Sequence, residues 1–291
     1  IHIDINQEEI GRNYKTVIGA VCDAKMALEA ILAAARRLYP NGVKRSDIVQ
    51  AIAREKAVYQ ASIADARKSG QWPMRPERIL ADLRDVLPRD GFVVADVGWN
   101  KNGVGQQFPI YEAGTFVAPG GLATMGYGPS AALGVKVARP DRKVVALIGD
   151  GGMGANVSPF ATGAVENIAV VWVVMNNCAF GTIAGLENQH YRHQFGTLFE
   201  RDGQPYSPDF AAIAEAYGIR GYRIERPEDF KPVLKEALEL EKPCVIDVRM
   251  ENAPVVTEGC WNINDIFRRR GEDKPWRIWS WGEETPWRME K

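Results

Sequence analysis

The sequence predicts an α/β fold: a parallel sheet with helices on both faces, preceded by the remnant of a second α/β domain. Three observations predict it. Short, mostly apolar runs at 92–97, 143–148, 169–175 and 244–249 read as strands of a sheet covered on both sides. Helical patterns at 78–87, 129–138, 156–166, 209–217 and 227–240 fall around them, and alternating strands and helices are the mark of parallel sheets. Turn-forming clusters of Gly, Asp and Asn close three of the strands, at 96–98, 149–152 and 176–177.

Taken in order, residues 1–5 alternate apolar and polar as a half-buried strand does, and 17–21 form a second apolar run. Asp23 precedes a helical spacing (Met26, Leu28, Ile31, Leu32) and is a candidate N-cap. Residues 1–36 read as the end of a middle α/β domain. A strand already under way at Ile1 leads us to expect a preceding portion, cleaved, absent or carried as another chain. Residues 37–74 read as a helical linker. Pro40-Asn41-Gly42 breaks it, Ser46 caps its second helical run, and 70–73 ends it. Residues 75–250 form the main domain, with a short additional strand at 115–118. The tail, 251–291, carries Trp261, Trp276, Trp279, Trp281 and Trp287 among Arg, Glu and Pro without a regular period. It reads as a segment that covers a pocket or packs on a neighbouring subunit.

The bulk numbers exclude several classes. With 36 basic against 37 acidic residues, the net charge of −1 supplies no electrostatic footprint for nucleic acid. The longest apolar run, 168–175, is too short to cross a bilayer. Cys22, Cys178, Cys244 and Cys260 show neither paired nor metal-type spacing. They read as reduced thiols, and the expected location is the cytoplasm.

The chemistry-bearing pattern is Gly149-Asp150-Gly151 at the end of one strand and Asn176-Asn177 at the end of the next. The spacer, 152–175, has the length of one crossover, so both clusters fall on the carboxyl edge of the sheet, where ligands of open α/β sheets bind. Asp150 offers a carboxylate oxygen and Asn177 an amide oxygen, and a backbone carbonyl just beyond adds a third. Few protein oxygens, completed by phosphate and water, suit Mg²⁺. Gly149, Gly151, Gly152 and Gly154 allow a phosphate close approach to the backbone.

These residues resemble the signature of the thiamine diphosphate (ThDP) dependent enzyme superfamily: Gly-Asp-Gly, a spacer of this length, then Asn-Asn. The chain is most similar to acetolactate synthase-like enzymes and their decarboxylase and lyase relatives. The resemblance implies a ThDP- and Mg²⁺-dependent C–C bond lyase or transferase acting on a 2-oxo acid or related carbonyl compound. It implies Asp150, Asn177 and the Ala179 carbonyl as Mg²⁺ ligands, and Gly149, Gly151 and Gly152 at the diphosphate. Gly98, Trp99 and Asn100 match a second diphosphate-contacting turn, although relatives often have Gln-His in place of Trp99-Asn100. In the loop 120–126, Met125 matches the apolar wedge that bends the cofactor, and the Ala123 carbonyl would accept from its aminopyrimidine; many relatives have Gly there. Phe180, Gly181, Thr182 and Ile183 would border the reacting centre. Acetolactate synthases commonly carry Met for Thr182 and Trp for Leu186. The activating glutamate of the family belongs to a pyrimidine-binding domain, which is expected on another chain or a preceding segment. The catalytic residue is therefore unknown within this chain, and at least a dimer is expected.

Other readings compete. Gly149-x-Gly151-x-x-Gly154 also fits a dinucleotide fingerprint, but that site wants an acid, not Asn176-Asn177, at the end of the next strand. A dinucleotide-binding oxidoreductase, a two-chain 2-oxo acid decarboxylase and a non-catalytic ThDP-binding partner are the alternatives. Asp96 reads equally as a turn or cap residue and as a ligand. His190 and His193 read as exposed loop histidines, and Cys178 as a small buried filler rather than a nucleophile.

Overall fold

A computed structural model of the chain describes residues 1–252. The expectations for the Trp-rich tail and for Cys260 lie outside the described residues. The chain divides into two compact units, which among the described residues are 1–58 and 59–252.

In the first unit, β1 (His2–Asp4) and β2 (Gly19–Val21) pair in parallel, with Ile3 opposite Ala20. Helix α1 (Ala24–Leu38) follows, and Asp23 caps it as expected: its carboxylate accepts from the Lys25 and Met26 N–H groups. No described residue of this unit is buried. Helix α2 (Ser46–Ser62) runs across the division between the units. Ser46 is its first residue rather than its cap, because the ladder already begins from the Arg45 carbonyl, which accepts from Val49 N–H.

The second unit is built on a six-stranded, wholly parallel sheet. Its elements are α3 (Pro76–Val86), β3 (Phe92–Ala95), α4 (Trp99–Gln107), β4 (Phe116–Val117), α5 (Tyr127–Ala138), β5 (Val144–Gly149), α6 (Asp150–Ala155), α7 (Pro159–Val165), β6 (Val171–Asn176) and α8 (Gly181–Tyr191). A small antiparallel pair, β7 (Glu200–Arg201) and β8 (Gln204–Pro205), precedes α9 (Phe210–Ala216), β9 (Arg220–Ile224), α10 (Pro227–Glu239) and β10 (Cys244–Arg249). The strand order is β4-β3-β5-β6-β10-β9. From β3 the chain turns outward to β4, whereas from β5 it proceeds the other way to β6. The crevice between the carboxyl ends of β3 and β5 is thus the topological switch point, where ligands of open parallel sheets bind.

Side chains alternate across the sheet and feed two cores. Val145 and Leu147 of β5 join Ile79, Leu83, Val173, Phe230 and Ile246 on one face. Ala146 and Ile148 join Phe160, Trp172, Val174 and Phe210 on the other. This two-sided burial is why the strands read as apolar runs rather than as alternating ones. The edge strand β9 carries no such run: of its five residues only Tyr222 and Ile224 are buried, while Arg220 and Arg223 are exposed. The helix expected over 156–166 is α7, and an additional short helix, α6, precedes it. α6 starts at Asp150 directly on leaving β5, and Pro159 opens α7. No helix of the described residues is long and apolar enough to cross a membrane.

Trp172 is fully buried, packs tilted against Phe160 with ring centroids 5.1 Å apart, and donates its indole N–H to the Pro129 carbonyl at 3.1 Å. Replacing it by alanine removes the ring and its hydrogen bond to that carbonyl. Trp172→Ala is expected to destabilise the protein by about 3–5 kcal/mol in a urea or thermal unfolding measurement.

Candidate functional site

A cleft of about 250 Å³ opens at the carboxyl edge, lined by residues that follow β3, β5, β6 and β10. Of the expected site residues, Gly98, Trp99, Asn100, Met125, Gly149, Asp150, Gly151, Gly152, Asn177, Ala179, Phe180, Gly181 and Thr182 line it, and so does Ile183. Ala123 is not among the lining residues. It occupies a tight turn, with φ 48° and its N–H donating to the Gly120 carbonyl, two residues before Met125.

Asp150 is the charged floor of the cleft. It is 3% exposed, because the strand β5 passes straight into α6 and carries it inward. Its Oδ1 accepts from the Gly151 N–H at 2.9 Å, while Oδ2 is buried with no hydrogen-bond partner. Burial raises its pKa to about 6, opposed by N–H groups of Gly151, Cys178 and Ala179. The Asn177 Oδ1 lies 3.1 Å from Asp150 Oδ1 and 3.1 Å from the Ala179 carbonyl oxygen. Its Nδ2 donates outward to Asn252 Oδ1 at 3.1 Å. Turning the amide would instead give its NH₂ to Asp150 and Ala179, but would set oxygen against oxygen at Asn252. The orientation with oxygen inward brings three acceptors together. Adjacent ligands of an octahedral ion with 2.0–2.1 Å bonds stand roughly 3 Å apart. The donor set, all oxygen with one carboxylate, and the orphaned Oδ2 both fit Mg²⁺. Among the described residues no cluster of three His, Cys, Asp or Glu side chains offers a competing metal site.

The loop bearing Asn177 and Ala179 is braced from two sides, which the sequence did not reveal. Asn176 is buried; its Nδ2 donates to Asp247 Oδ1 at 3.0 Å, and Asp247 Oδ2 accepts from the Phe210 N–H at 3.1 Å. Arg249 donates to Asn176 Oδ1 at 3.1 Å and to the Cys178 sulfur at 2.6 Å. Cys178 has φ 54° and is buried, and burial raises its thiol pKa against the pull of Arg249, which suits a filler and not a nucleophile. On the other side the chain after α8 returns. Phe199 N–H donates to the Cys178 carbonyl and Phe180 N–H to the Thr197 carbonyl. Glu187 fastens that return by accepting from Thr197 Oγ1 at 2.7 Å and Phe195 N–H at 3.2 Å. His193 is exposed beyond α8.

Asp96 resolves as a cap. It is buried and accepts from the Gly126 and Gly128 N–H groups at 3.0 and 3.3 Å, tying the end of β3 to the loop that carries Met125. Burial raises its pKa too. Gly152 is required beside it, since a Cβ there would overlap the Asp96 carboxylate. A Cβ on Gly151 would meet the Phe180 ring and stand 3.3 Å from the Met125 methyl, so those two side chains wall the cleft directly above Asp150. Gly98, at φ 96°, opens α4, and Gly181 opens α8; first-turn N–H groups of both helices lack intrahelical partners and border the cleft. Asn100 spends its amide N–H on the Leu147 carbonyl at 3.1 Å, and the Trp99 ring folds over Gly103 onto the core. Both therefore also serve the scaffold. Lys101, Asn102, Met175 and Met250 line the cleft as well. Lys101 and Asn102 adjoin the turn already singled out, whereas nothing local marks Met250.

Residues 96–248 match the family described as "Thiamine pyrophosphate enzyme, C-terminal TPP binding domain", and the chain belongs to the thiamine pyrophosphate enzymes. Within them it is acetolactate synthase-like. It is 31% identical over 261 residues to a probable acetolactate synthase large subunit of Methanococcus aeolicus, covering 86% of this chain and 43% of that protein. Its likeness to the Methanocaldococcus jannaschii protein of the same description is 31% over 290 residues, 94% of this chain and 46% of the other. The chain thus spans less than half the length of these curated relatives. Among solved structures it resembles the thiamine diphosphate-dependent 4-hydroxybenzoylformate decarboxylase of Rhodococcus jostii. There the TM-score is 0.58 at 28% identity, covering 64% of this chain and 34% of that one.

The raised pKa of Asp150 has a measurable consequence in metal-free protein. The folded value, about 6, lies above the ordinary 3.8, so the ionised carboxylate costs stability. The penalty is absent below about pH 4 and complete above about pH 6. Asp150→Asn is expected to be more stable than wild type by about 1–3 kcal/mol at pH 7.5, the gain vanishing near pH 4, in denaturant titrations across that range.

Proposed function

We propose that this chain is the diphosphate- and Mg²⁺-binding part of a ThDP-dependent C–C bond lyase or transferase acting on a 2-oxo acid or a related carbonyl compound. The observation that carries the reading is the convergence of Asp150 Oδ1, Asn177 Oδ1 and the Ala179 carbonyl beside the unpartnered Asp150 Oδ2. Asp150, Asn177 and the Ala179 carbonyl would hold the ion, which would supply charge to neutralise a diphosphate. Gly98, Trp99 and Asn100 at the start of α4, and Gly149, Gly151 and Gly152 after β5, bring backbone N–H groups to the phosphate oxygens. Met125 would supply the apolar wedge that sets the cofactor's bend, the Ala123 carbonyl, in the loop leading to Met125, would accept from its amino group, and Phe180, Gly181, Thr182 and Ile183 would border the reacting centre. When bound, ThDP would supply a nucleophilic carbon and an electron sink for cleavage of a C–C bond next to a carbonyl.

The functional parts on this reading are the end of a middle domain at 1–36, a linker at 37–74, the cofactor domain at 75–250 and a tail at 251–291. The parallel pair β1–β2, none of whose residues is buried, supports the first, since parallel strands are normally covered on both faces. The activating carboxylate comes from a pyrimidine-binding domain on another polypeptide or a further segment, in an assembly that is at least dimeric and located in the cytoplasm. A dinucleotide role is disfavoured by the amides at the end of β6 and by the family match.

Calorimetry with ThDP and Mg²⁺, NAD(H) and FAD tests the class: only ThDP with Mg²⁺ is expected to bind. Asp150→Ala and Asn177→Ala are each expected to raise the Mg²⁺ concentration needed for ThDP binding by about 100-fold, read by fluorescence of the cleft-lining Trp99. The isolated 291-residue chain is expected to bind but not turn over. Full ThDP-dependent activity without another polypeptide overturns the shared-site reading. With the complete assembly and pyruvate, acetolactate marks a carboligase and acetaldehyde a simple decarboxylase.

A further inference from the structure

We infer that Asn252 is a positioning residue for the cation site, holding the Asn177 amide with its oxygen turned toward the ion. The inference rests on the reading of Asp150, Asn177 and Ala179 as the cation ligands. An amide has two orientations that differ only in exchanging oxygen for NH₂. With oxygen inward, Asn177 faces two other oxygens at 3.1 Å and needs a cation to make that favourable. With NH₂ inward it satisfies both of those oxygens and competes with the cation. What decides between them is the partner outside. Asn252 Oδ1 sits 3.1 Å from the outward Asn177 Nδ2 and accepts its hydrogen bond. Turning Asn177 alone sets two oxygens against each other there, so the amide is free to turn only if Asn252 turns with it.

The placement of Asn252 is a property of the sheet. Arg249 stands opposite Asn176 in the parallel register, and Met250 N–H donates to the Asn176 carbonyl at 2.9 Å, extending the pairing past the strand end. Two residues later Asn252 reaches Asn177, 75 positions away in sequence. Space is kept for the pair at Gly181, where a Cβ would overlap Asn177 Nδ2 and stand 3.2 Å from Asn252 Oδ1. Residues just outside a metal's ligands that fix ligand orientation typically account for about 10–100-fold in affinity.

The test is a Mg²⁺ titration of the full chain at saturating ThDP, by calorimetry, for wild type, Asn252→Ala, Asn252→Asp and Gly181→Ala. Alanine removes the acceptor; aspartate is an acceptor in every orientation and so holds the Asn177 oxygen inward. Asn252→Ala is expected to raise the Mg²⁺ dissociation constant by about 10-fold, with the melting temperature of cofactor-free protein unchanged because Asn252 is exposed. Asn252→Asp is expected to bind at least as tightly as wild type. Gly181→Ala keeps the Asn252 side chain but displaces Asn177 Nδ2 and crowds Asn252 Oδ1, and its constant is expected to rise with that of Asn252→Ala. Unchanged Mg²⁺ affinity in Asn252→Ala, or equal weakening in the Ala and Asp variants, overturns the inference. If wild type itself shows no Mg²⁺-dependent ThDP binding, the proposed function falls and this inference with it; if wild type binds and Asn252→Ala binds equally, the inference alone falls.

Discussion

Asp150 is carried to a place where a carboxylate is expensive. It is 3% exposed, one of its oxygens has no partner, and its ordinary acidity is weakened by burial. A folded chain tolerates such a group where something compensates for the charge. Three backbone N–H groups, of Gly151, Cys178 and Ala179, do part of that, and a divalent ion held with Asn177 and the Ala179 carbonyl completes the compensation on the proposed function. The site therefore stores part of the free energy that cation binding releases. The same residue that costs stability without the ion is the one that gives the ion its anchor.

That arrangement depends on sheet register more than on any single contact. β5 and β6 are adjacent and parallel, with Gly149 opposite Met175, so Asp150 and Asn177 leave the sheet side by side. The neighbour on the far side, β10, pairs Arg249 with Asn176. From there Asp247, Arg249 and Asn252 reach the loop between Asn176 and Cys178. Three strands thus converge on a few residues of backbone, while β3 contributes Asp96, which fixes the Met125 loop from the opposite side. Side-chain size matters as much as charge here. At Gly151 and Gly152 the nearest neighbours are Phe180 and the Asp96 carboxylate, so any larger residue would push the cleft walls apart.

Much of the fold was legible because strands covered on both faces leave a strong local trace. The runs around β3, β5, β6 and β10 contain enough consecutive apolar residues to be read without knowing their partners. β9 was missed, since an edge strand with exposed Arg220 and Arg223 has half that signal. α4 was missed as well: Trp99 to Gln107 contains two glycines and no apolar stripe, and its helix is held by the Gly98 turn and the core beneath it. That most of the residues singled out in the sequence line one cleft has a different origin. Those residues follow strand ends, so placing the strands places them, and the resemblance to a known signature supplied Met125 and Phe180.

By itself the sequence determined the α/β class, the adjacency of the Asp150 and Asn177 turns and the oxygen-rich character of the site, because each follows from residue type and short-range spacing. Only the tertiary structure decided what braces the site: Asp247 under Asn176, Arg249 on Cys178, Glu187 on the returning loop, and Asn252 on the Asn177 amide. Most of these contacts join residues far apart in the chain, and their partners are polar groups of unremarkable type. Which of many such groups meet is set by strand order and register, and a linear sequence states neither.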